Sequence, residues 1–199
     1  MMAFVTTAPG PVNGSTAQDL IDAQPAEIQK TLQERRVAVL PQAEPQNGGP
    51  RLIRSMVLFE SSPDAVFALM LQTRRKPEYQ PQIRSVERVS RGDRESVEIV
   101  RLRIAFKNIA YRLLRSWDPA AHRIEWRIDP AYDNDIRHLE GYWEFYPLPG
   151  EGTLGYTGSN VNIGPILPGF IQRSMSRRKV PQAMDRVRRW VDSGGTWRP

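Results

Sequence analysis

Residues 111–128 read YRLLRSWDPAAHRIEWRI, and this stretch decides the fold because it has the form of two amphipathic strands joined by a turn. Apolar residues recur at every second position, at 109, 111 and 113 before the turn and at 124, 126 and 128 after it. Asp118-Pro119 marks the turn itself. Alternation with period two predicts antiparallel strands that present one apolar face.

The same texture extends in both directions from this hairpin. Strand-like runs cover residues 51–60, 83–89, 95–106, 136–146 and 153–163, and most are separated by Pro, Gly, Asp or Asn. In the run 95–106, Val100, Leu102, Ile104 and Phe106 share one face. The sequence therefore predicts about seven antiparallel strands.

Helices are predicted on either side of these strands. Ser61-Ser62-Pro63-Asp64 opens a short helix, and Pro77 and Pro81 bracket the bend that follows. A long helix is predicted over 166–192, kinked at Pro181 and stopped by Gly194-Gly195. An antiparallel sheet with one apolar face needs a cover, and this helix is long enough to supply it, so the fold class is α+β.

Three segments follow from these elements. Residues 1–50 form an N-terminal extension with a flexible start, a helix over about 16–34 interrupted at Pro25, and a Pro-rich loop over 41–50. Residues 51–193 form the main domain, and 194–199 a flexible tail. No Lys or Arg precedes Lys30, so the charged start of a secretory signal is missing. The expected location is cytoplasmic or membrane-peripheral, or secreted or periplasmic where a signal has been removed.

Composition excludes several kinds of chemistry. The 199 residues suffice for one domain, and no run approaches the ~20 apolar residues of a membrane span. Without Cys, and with only His122 and His138, neither thiolate nor three-histidine metal sites can form, and we expect no metal and no cofactor. No G-x-S-x-G turn or phosphate-binding glycine loop is present.

The order of elements resembles the helix-grip fold of the START and polyketide-cyclase (SRPBCC) superfamily. In its sequence pattern the chain most resembles bacterial START-like proteins that bind lipids or coenzyme Q. The resemblance rests on these segments: FESSPDAVFALM (59–70), PEYQP (77–81), IRSVERV (83–89), YRLLRSWDPAAHRIEWRI (111–128), GYWEFYPLPGEGTLGYTGSN (141–160) and GPILPGF (164–170).

The resemblance implies a curved sheet that grips the long helix around an elongated apolar cavity. Large aromatic residues on the strands suit such a cavity, since an apolar body with a polar tip can orient a ligand. Arg115 shares the face of Ile109 and Leu113. Buried there, it needs a carboxylate or a ligand oxygen as its partner; alternatively, the strand twists or bulges at this point and the side chain reaches solvent along its stem. The candidate cavity residues are Tyr111, Arg115, Trp117, Trp126, Trp143, Tyr156, Asn160, Phe170 and Met184.

Two other motifs have structural interpretations. His138 and Glu140 lie on one face of a strand, where they form either an acid/base pair or a surface ion pair opposite the apolar face. Asp129, Asp133 and Asp135 are spaced like calcium ligands, but the loop lacks the glycine such loops require. We expect no catalytic residue among these.

The expected function is binding, and possibly transfer, of a hydrophobic small molecule such as a lipid, quinone, sterol or polyketide. The alternative is a polyketide aromatase/cyclase on the same fold, in which Arg115, Tyr111 and Asn160 orient carbonyl groups. Residues 165–199 carry eight basic and two acidic residues, so this segment has a net charge of +6 and is a candidate for contact with anionic membranes. The basic residues form no groove-reading platform, and we expect no nucleic-acid partner.

Overall fold

The computed structural model describes residues 14–41, 52–104, 106–150, 152–163 and 179–199. The described chain begins with α1 (Ala17–Asp22), α2 (Ala26–Arg35) and β1 (Val37–Val39). Thr16 caps α1 through a capping box, in which its hydroxyl accepts from the Asp19 amide and the Asp19 carboxylate accepts from the Thr16 amide. Pro25 separates the two helices, as the sequence predicts.

Two short helices follow the second strand, β2 (Leu52–Phe59). The first, α3 (Pro63–Met70), is capped by Ser62, whose side chain accepts from the Ala65 amide. A 3₁₀ turn (Thr73–Arg75) leads directly into α4 (Lys76–Tyr79). This arrangement confirms the predicted helix opening and the bend that follows it.

The remaining strands complete one antiparallel sheet. Eight strands occur in the described residues, one more than predicted, because β1 adds to the edge beside β2. The order across the sheet is β1-β2-β8-β7-β6-β5-β4-β3. The later strands are β3 (Ile83–Arg91), β4 (Glu95–Ile104), β5 (Lys107–Asp118), β6 (Arg123–Ile128), β7 (His138–Pro147) and β8 (Thr153–Asn162).

The described part of the C-terminal helix is α5 (Val180–Asp192). It packs against β1, β2, α3 and α4, and its Trp190 and Val191 are fully buried. The chain turns away at Gly194 and Gly195, both of which have positive φ, as predicted. The predicted residues 166–178 of the helix, including Phe170, lie outside the described residues.

Helices pack against both faces of the sheet. The inner face, toward α5, carries Val57, Phe59, Trp143 and Phe145, which pack with Trp190. The outer face is covered by α1 and α2, whose buried residues Ala17, Leu20, Ile21 and Leu32 pack on the apolar outer residues of β1, β2, β7 and β8. The N-terminal extension thus supplies a third layer, and the molecule is a sheet between two layers of helix.

Candidate functional site

A buried ion pair lies on the inner face where β4 and β5 meet. Arg115 and Glu98 are 5% and 1% exposed, and the Arg115 Nη1 atom lies 3.5 Å from the Glu98 Oε1 atom. The same oxygen accepts from Thr73 Oγ1 at 2.6 Å and from Ser96 Oγ at 3.2 Å. Arg115 is therefore buried and does not reach solvent, and Glu98 is its carboxylate partner, whose Oε1 atom serves three donors at once.

Two further cations stand beside this pair. Arg88 lies directly opposite Glu98 in the pairing of β3 with β4, and its buried Nε atom has no hydrogen-bond partner. Lys76, at the start of α4, is half-buried. Burial and, to a smaller extent, the charge of Arg115 lower the pKa of Lys76 to about 8, although Glu98 offsets part of their effect. Burial likewise lowers the pKa of Arg115, although Glu98 opposes this.

The helical segment before β3 places three residues near the ion pair. Thr73, Lys76 and Tyr79 are spaced by three residues, which places them on one side of the 3₁₀ turn and α4. The Thr73 hydroxyl donates a hydrogen bond to Glu98. Tyr79 is buried, and it lies close enough to Arg115 for the guanidinium charge to affect its pKa. Burial raises the pKa of Tyr79, so the phenol stays neutral. We call Arg88, Glu98, Arg115, Thr73, Ser96, Lys76 and Tyr79 the polar cluster.

An apolar wall adjoins the polar cluster on the inner face. Strand pairing places Trp126 opposite Arg115. Its side chain packs both against the apolar core that contains Trp190 and against the separate apolar core that contains Leu113. Gly141 makes room for it, since a Cβ atom at this position would lie 2.5 Å from the Trp126 ring. The partly buried apolar residues of this wall are Ile83, Leu102, Ile104, Tyr111, Trp126 and Ile128.

Six of the candidate residues lie on this inner face or on the helix that packs against it. Tyr111, Arg115 and Trp117 follow one another on β5, and Trp126 and Trp143 lie on the adjacent strands β6 and β7. Burial raises the pKa of Tyr111. Trp117 is buried and has the Arg91 guanidinium 5.5 Å from its ring centre. Met184, on α5, is half-buried against the same residues.

Tyr156 and Asn160 do not belong to this set, which corrects the prediction. They pair with Glu144 and Glu140 on the outer face of β7, whereas Trp143 pairs with Thr157 on the inner face. Tyr156 packs with Tyr142 beneath α1 and α2. Asn160 donates to Glu140 Oε1 at 3.3 Å. Neither residue can reach a ligand on the inner face, and Phe170 lies outside the described residues.

The structure also locates the other residues that the sequence analysis singled out. His138 Nε2 lies 3.4 Å from Glu140 Oε1 on the outer face, away from the inner-face residues. Phe106 leaves the inner face at the β4–β5 turn and is 73% exposed, so the predicted alternation ends at Ile104. Within the described residues, the His, Asp and Glu side chains form no cluster suited to a metal ion, and none of the helices has the length and apolar character of a membrane span.

The sequence contained a signal for one of the residues that were missed. Glu98 continues backwards the alternation of Val100, Leu102 and Ile104, so its position on the inner face follows from the pattern. Lys76 and Tyr79 have no such signal, because their approach to Glu98 depends on how the bend before β3 packs against the sheet. Arg88 reaches Glu98 through the pairing of β3 with β4, which the sequence of β3 by itself does not give.

Comparisons with known proteins agree with this architecture. A family model described as polyketide cyclase/dehydrase and lipid transport matches residues 53–189. Among curated proteins, none is similar enough in sequence to count as a match.

Solved structures share the fold at low sequence identity. A STAR-related lipid transfer protein from Xanthomonas axonopodis is 14% identical, with a TM-score of 0.64, over 78% of this chain and 98% of its own. The Zhui aromatase/cyclase from Streptomyces sp. R1128 is 19% identical, with a TM-score of 0.58, over 74% and 99%. Human STARD10 is 15% identical, with a TM-score of 0.64, over 78% and 69%. At these identities the similarity establishes the fold.

Proposed function

Because this chain belongs to the polyketide cyclase/dehydrase and lipid transport family, we propose that it binds a hydrophobic small molecule between the inner face of its sheet and its C-terminal helix. One observation carries the proposal: the polar cluster lies at the edge of an apolar wall whose side chains are only partly buried. An apolar surface with a few convergent polar groups is the usual form of a small-molecule site.

The inner face divides the work of binding between two kinds of residue. Tyr111, Trp126 and Ile128 offer apolar area to the body of the ligand. Arg115 and Lys76 offer hydrogen-bond donors to its polar end. Five of the nine residues predicted from sequence, namely Tyr111, Arg115, Trp117, Trp126 and Trp143, support this assignment through their common face, and Met184 does so from α5.

Native mass spectrometry of the purified protein tests the proposal, followed by solvent extraction and identification of any adduct. We expect a stoichiometric apolar adduct that is lost in Tyr111→Ala. The matched control is Tyr146→Ala, because Tyr146 is also half-buried but lies on the outer face. An adduct retained equally in both variants would contradict binding on the inner face. A protein that carries no adduct and binds none of a panel of lipids and quinones would contradict the function.

The alternative function is a polyketide aromatase/cyclase, and the polar cluster supports it as well. The Arg115 guanidinium would stabilise the oxyanion that develops on a carbonyl, and Lys76, with its pKa near 8, would exchange a proton at the reacting carbon. Incubation with a poly-β-ketone thioester tests this function. Formation of a cyclised aromatic product, lost in Lys76→Met, would establish it, and unchanged substrate in the presence of tight binding would favour the carrier.

The proposal includes transfer at an anionic membrane through the basic C-terminal segment, supported by its net charge of +6. Part of this charge is compensated within the fold: Arg188 pairs with Asp185 and Asp192, Arg189 with Asp185, and Arg198 with Glu78. Contact would therefore depend on the other basic residues of 165–199, such as Arg186. Sedimentation with anionic vesicles at low salt checks this; absence of binding would contradict the membrane contact and leave ligand binding intact.

A further inference from the structure

The polar cluster holds more positive than negative charge. Arg88, Lys76 and Arg115 stand against the single carboxylate of Glu98, which leaves two positive charges in excess while Lys76 is protonated. The Glu98 carboxylate already has several partners, since its Oε1 atom accepts hydrogen bonds from Thr73 and Ser96 and lies near Arg115. Charge removed from water without a counterion is costly, so a cluster of this composition favours an anion beside it.

The neighbouring carboxylates cannot supply the missing charge, because each is engaged elsewhere. On α4, Glu78 pairs with Arg75 at 2.9 Å and Arg198 at 2.6 Å. On β3, Glu87 pairs with Arg101 on the outer face at 2.9 Å. On α5, which packs against α4, Asp185 holds Arg188 and Arg189, and Asp192 holds Arg188 and the Glu60 amide. Among the described residues around Lys76, only Glu98 remains to face it, and Tyr79 beside it is neutral.

We propose, building on the ligand site proposed above, that the polar end of the ligand is an acid, a carboxylate or a phosphate, rather than a neutral carbonyl or an amine. The anion lies among Arg115, Lys76 and Arg88, while its apolar chain or ring system lies along Tyr111, Trp126 and Ile128. The anion accepts hydrogen bonds from Arg115, from the unpartnered Nε atom of Arg88 and from the amine of Lys76. An amine would meet an excess of like charge at this position, because the only carboxylate of the cluster, Glu98, is already shared by Arg115, Thr73 and Ser96.

Four decyl compounds that share one apolar chain separate the head groups. Decanoate and decyl phosphate are acids, 1-decanol is neutral, and decylamine is a cation. Titration calorimetry at pH 7 is expected to show an acid binding at least about tenfold tighter than 1-decanol, with decylamine the weakest. If carboxylate is the natural head group, decanoate exceeds decyl phosphate, and the reverse order indicates a phosphate. Equal affinity for decanol and both acids would overturn the acidic head group but keep the apolar site. Failure of all four to bind would overturn both.

Substitution of Lys76 tests the assignment to this cluster. Lys76→Met is expected to weaken decanoate binding by about tenfold and to leave 1-decanol unchanged, while Lys76→Arg keeps the affinity for the acid. Lys30→Met is the matched control, because Lys30 is 75% exposed on α2 at the outer face. Equal affinities of wild type and Lys76→Met for decanoate would overturn the role of Lys76.

Proton uptake provides a readout that a merely structural lysine would not give. An anion beside Lys76 favours its charged form, so binding of decanoate at pH 8 should draw up to about half a proton per ligand from the solvent. The uptake is measured as the dependence of the binding enthalpy on the ionisation enthalpy of the buffer. It should vanish in Lys76→Met and persist in Lys30→Met. Absence of uptake in the wild type at pH 8 would contradict the placement of the anion.

Discussion

At the scale of single residues, Lys76 lowers the stability of the fold, and a residue that does so is expected to have a functional role. Its pKa falls to about 8 from an ordinary value of 10.5 because burial and Arg115 disfavour the charged amine. A base whose pKa is lowered on folding destabilises the native state while it is protonated, and the penalty disappears as the pH rises from about 8 to 10.5. Groups that reduce stability in this way are typical of functional sites.

Lys76→Met is therefore expected to stabilise the protein at pH 7, by about 1–2 kcal/mol, because the variant removes a half-buried charge. The gain should shrink at pH 9.5, where the wild-type amine is mostly neutral. Urea unfolding of both proteins at the two pH values measures this. A Lys76→Met variant less stable than the wild type at pH 7 would contradict the electrostatic interpretation and indicate a packing role.

For the ion pair of Arg115 and Glu98 we expect the opposite effect on stability, namely that loss of one charge destabilises the protein. Glu98→Leu leaves Arg115 buried without its carboxylate and should cost about 3–5 kcal/mol, as loss of one partner of a buried pair usually does. The double variant Glu98→Leu/Arg115→Met removes both charges and should be more stable than Glu98→Leu alone. Denaturant unfolding of the complete double-mutant cycle measures the coupling, and additive single effects would show that the pair is not coupled.

At the scale of elements, the outer helical layer explains why the sequence misassigns part of β8. Alternation identified the inner face of β5, β6 and β7, where charged residues occupy the other side. In β8 the first six residues are all buried, because α1 and α2 cover the outer face. Leu154 and Tyr156 are apolar on the outside, whereas Gly155 and Thr157 are small on the inside, so hydrophobicity alone selects the wrong face.

The polar cluster shows a second limit of sequence-based prediction. The pattern of β5 places Arg115 on the apolar face but leaves open whether the side chain is buried there or reaches solvent. That the partner is Glu98 requires the pairing of β4 with β5, and that Thr73 and Lys76 join it requires the packing of the bend between α3 and β3. Local alternation contains neither piece of information, because both depend on contacts between elements distant in the chain.

The contribution of the outer layer can be measured by substitution in α2. Leu32 is 1% exposed and packs with the residues beneath α1 and α2, so Leu32→Ala should lower the free energy of unfolding by about 2–5 kcal/mol. Gln33→Ala on the same helix is exposed and should change it by less than about 0.5 kcal/mol. Chemical denaturation compares the three proteins. Equal stability of Leu32→Ala and wild type would mean that the layer is not a cooperative part of the fold.

At the scale of the whole molecule, an inner-face ligand links the apolar wall on β4, β5 and β6 to the bend and C-terminal helix, so its binding should stabilise the native state as a unit. A ligand at a hundred times its Kd adds about 2.7 kcal/mol, which for a chain of this length raises Tm by about 5–10 °C. Scanning calorimetry with saturating decanoate is expected to show this shift in the wild type and in Tyr146→Ala. In Tyr111→Ala the shift should shrink because part of the apolar wall is gone. An equal shift in Tyr111→Ala would place the binding of decanoate away from the inner face.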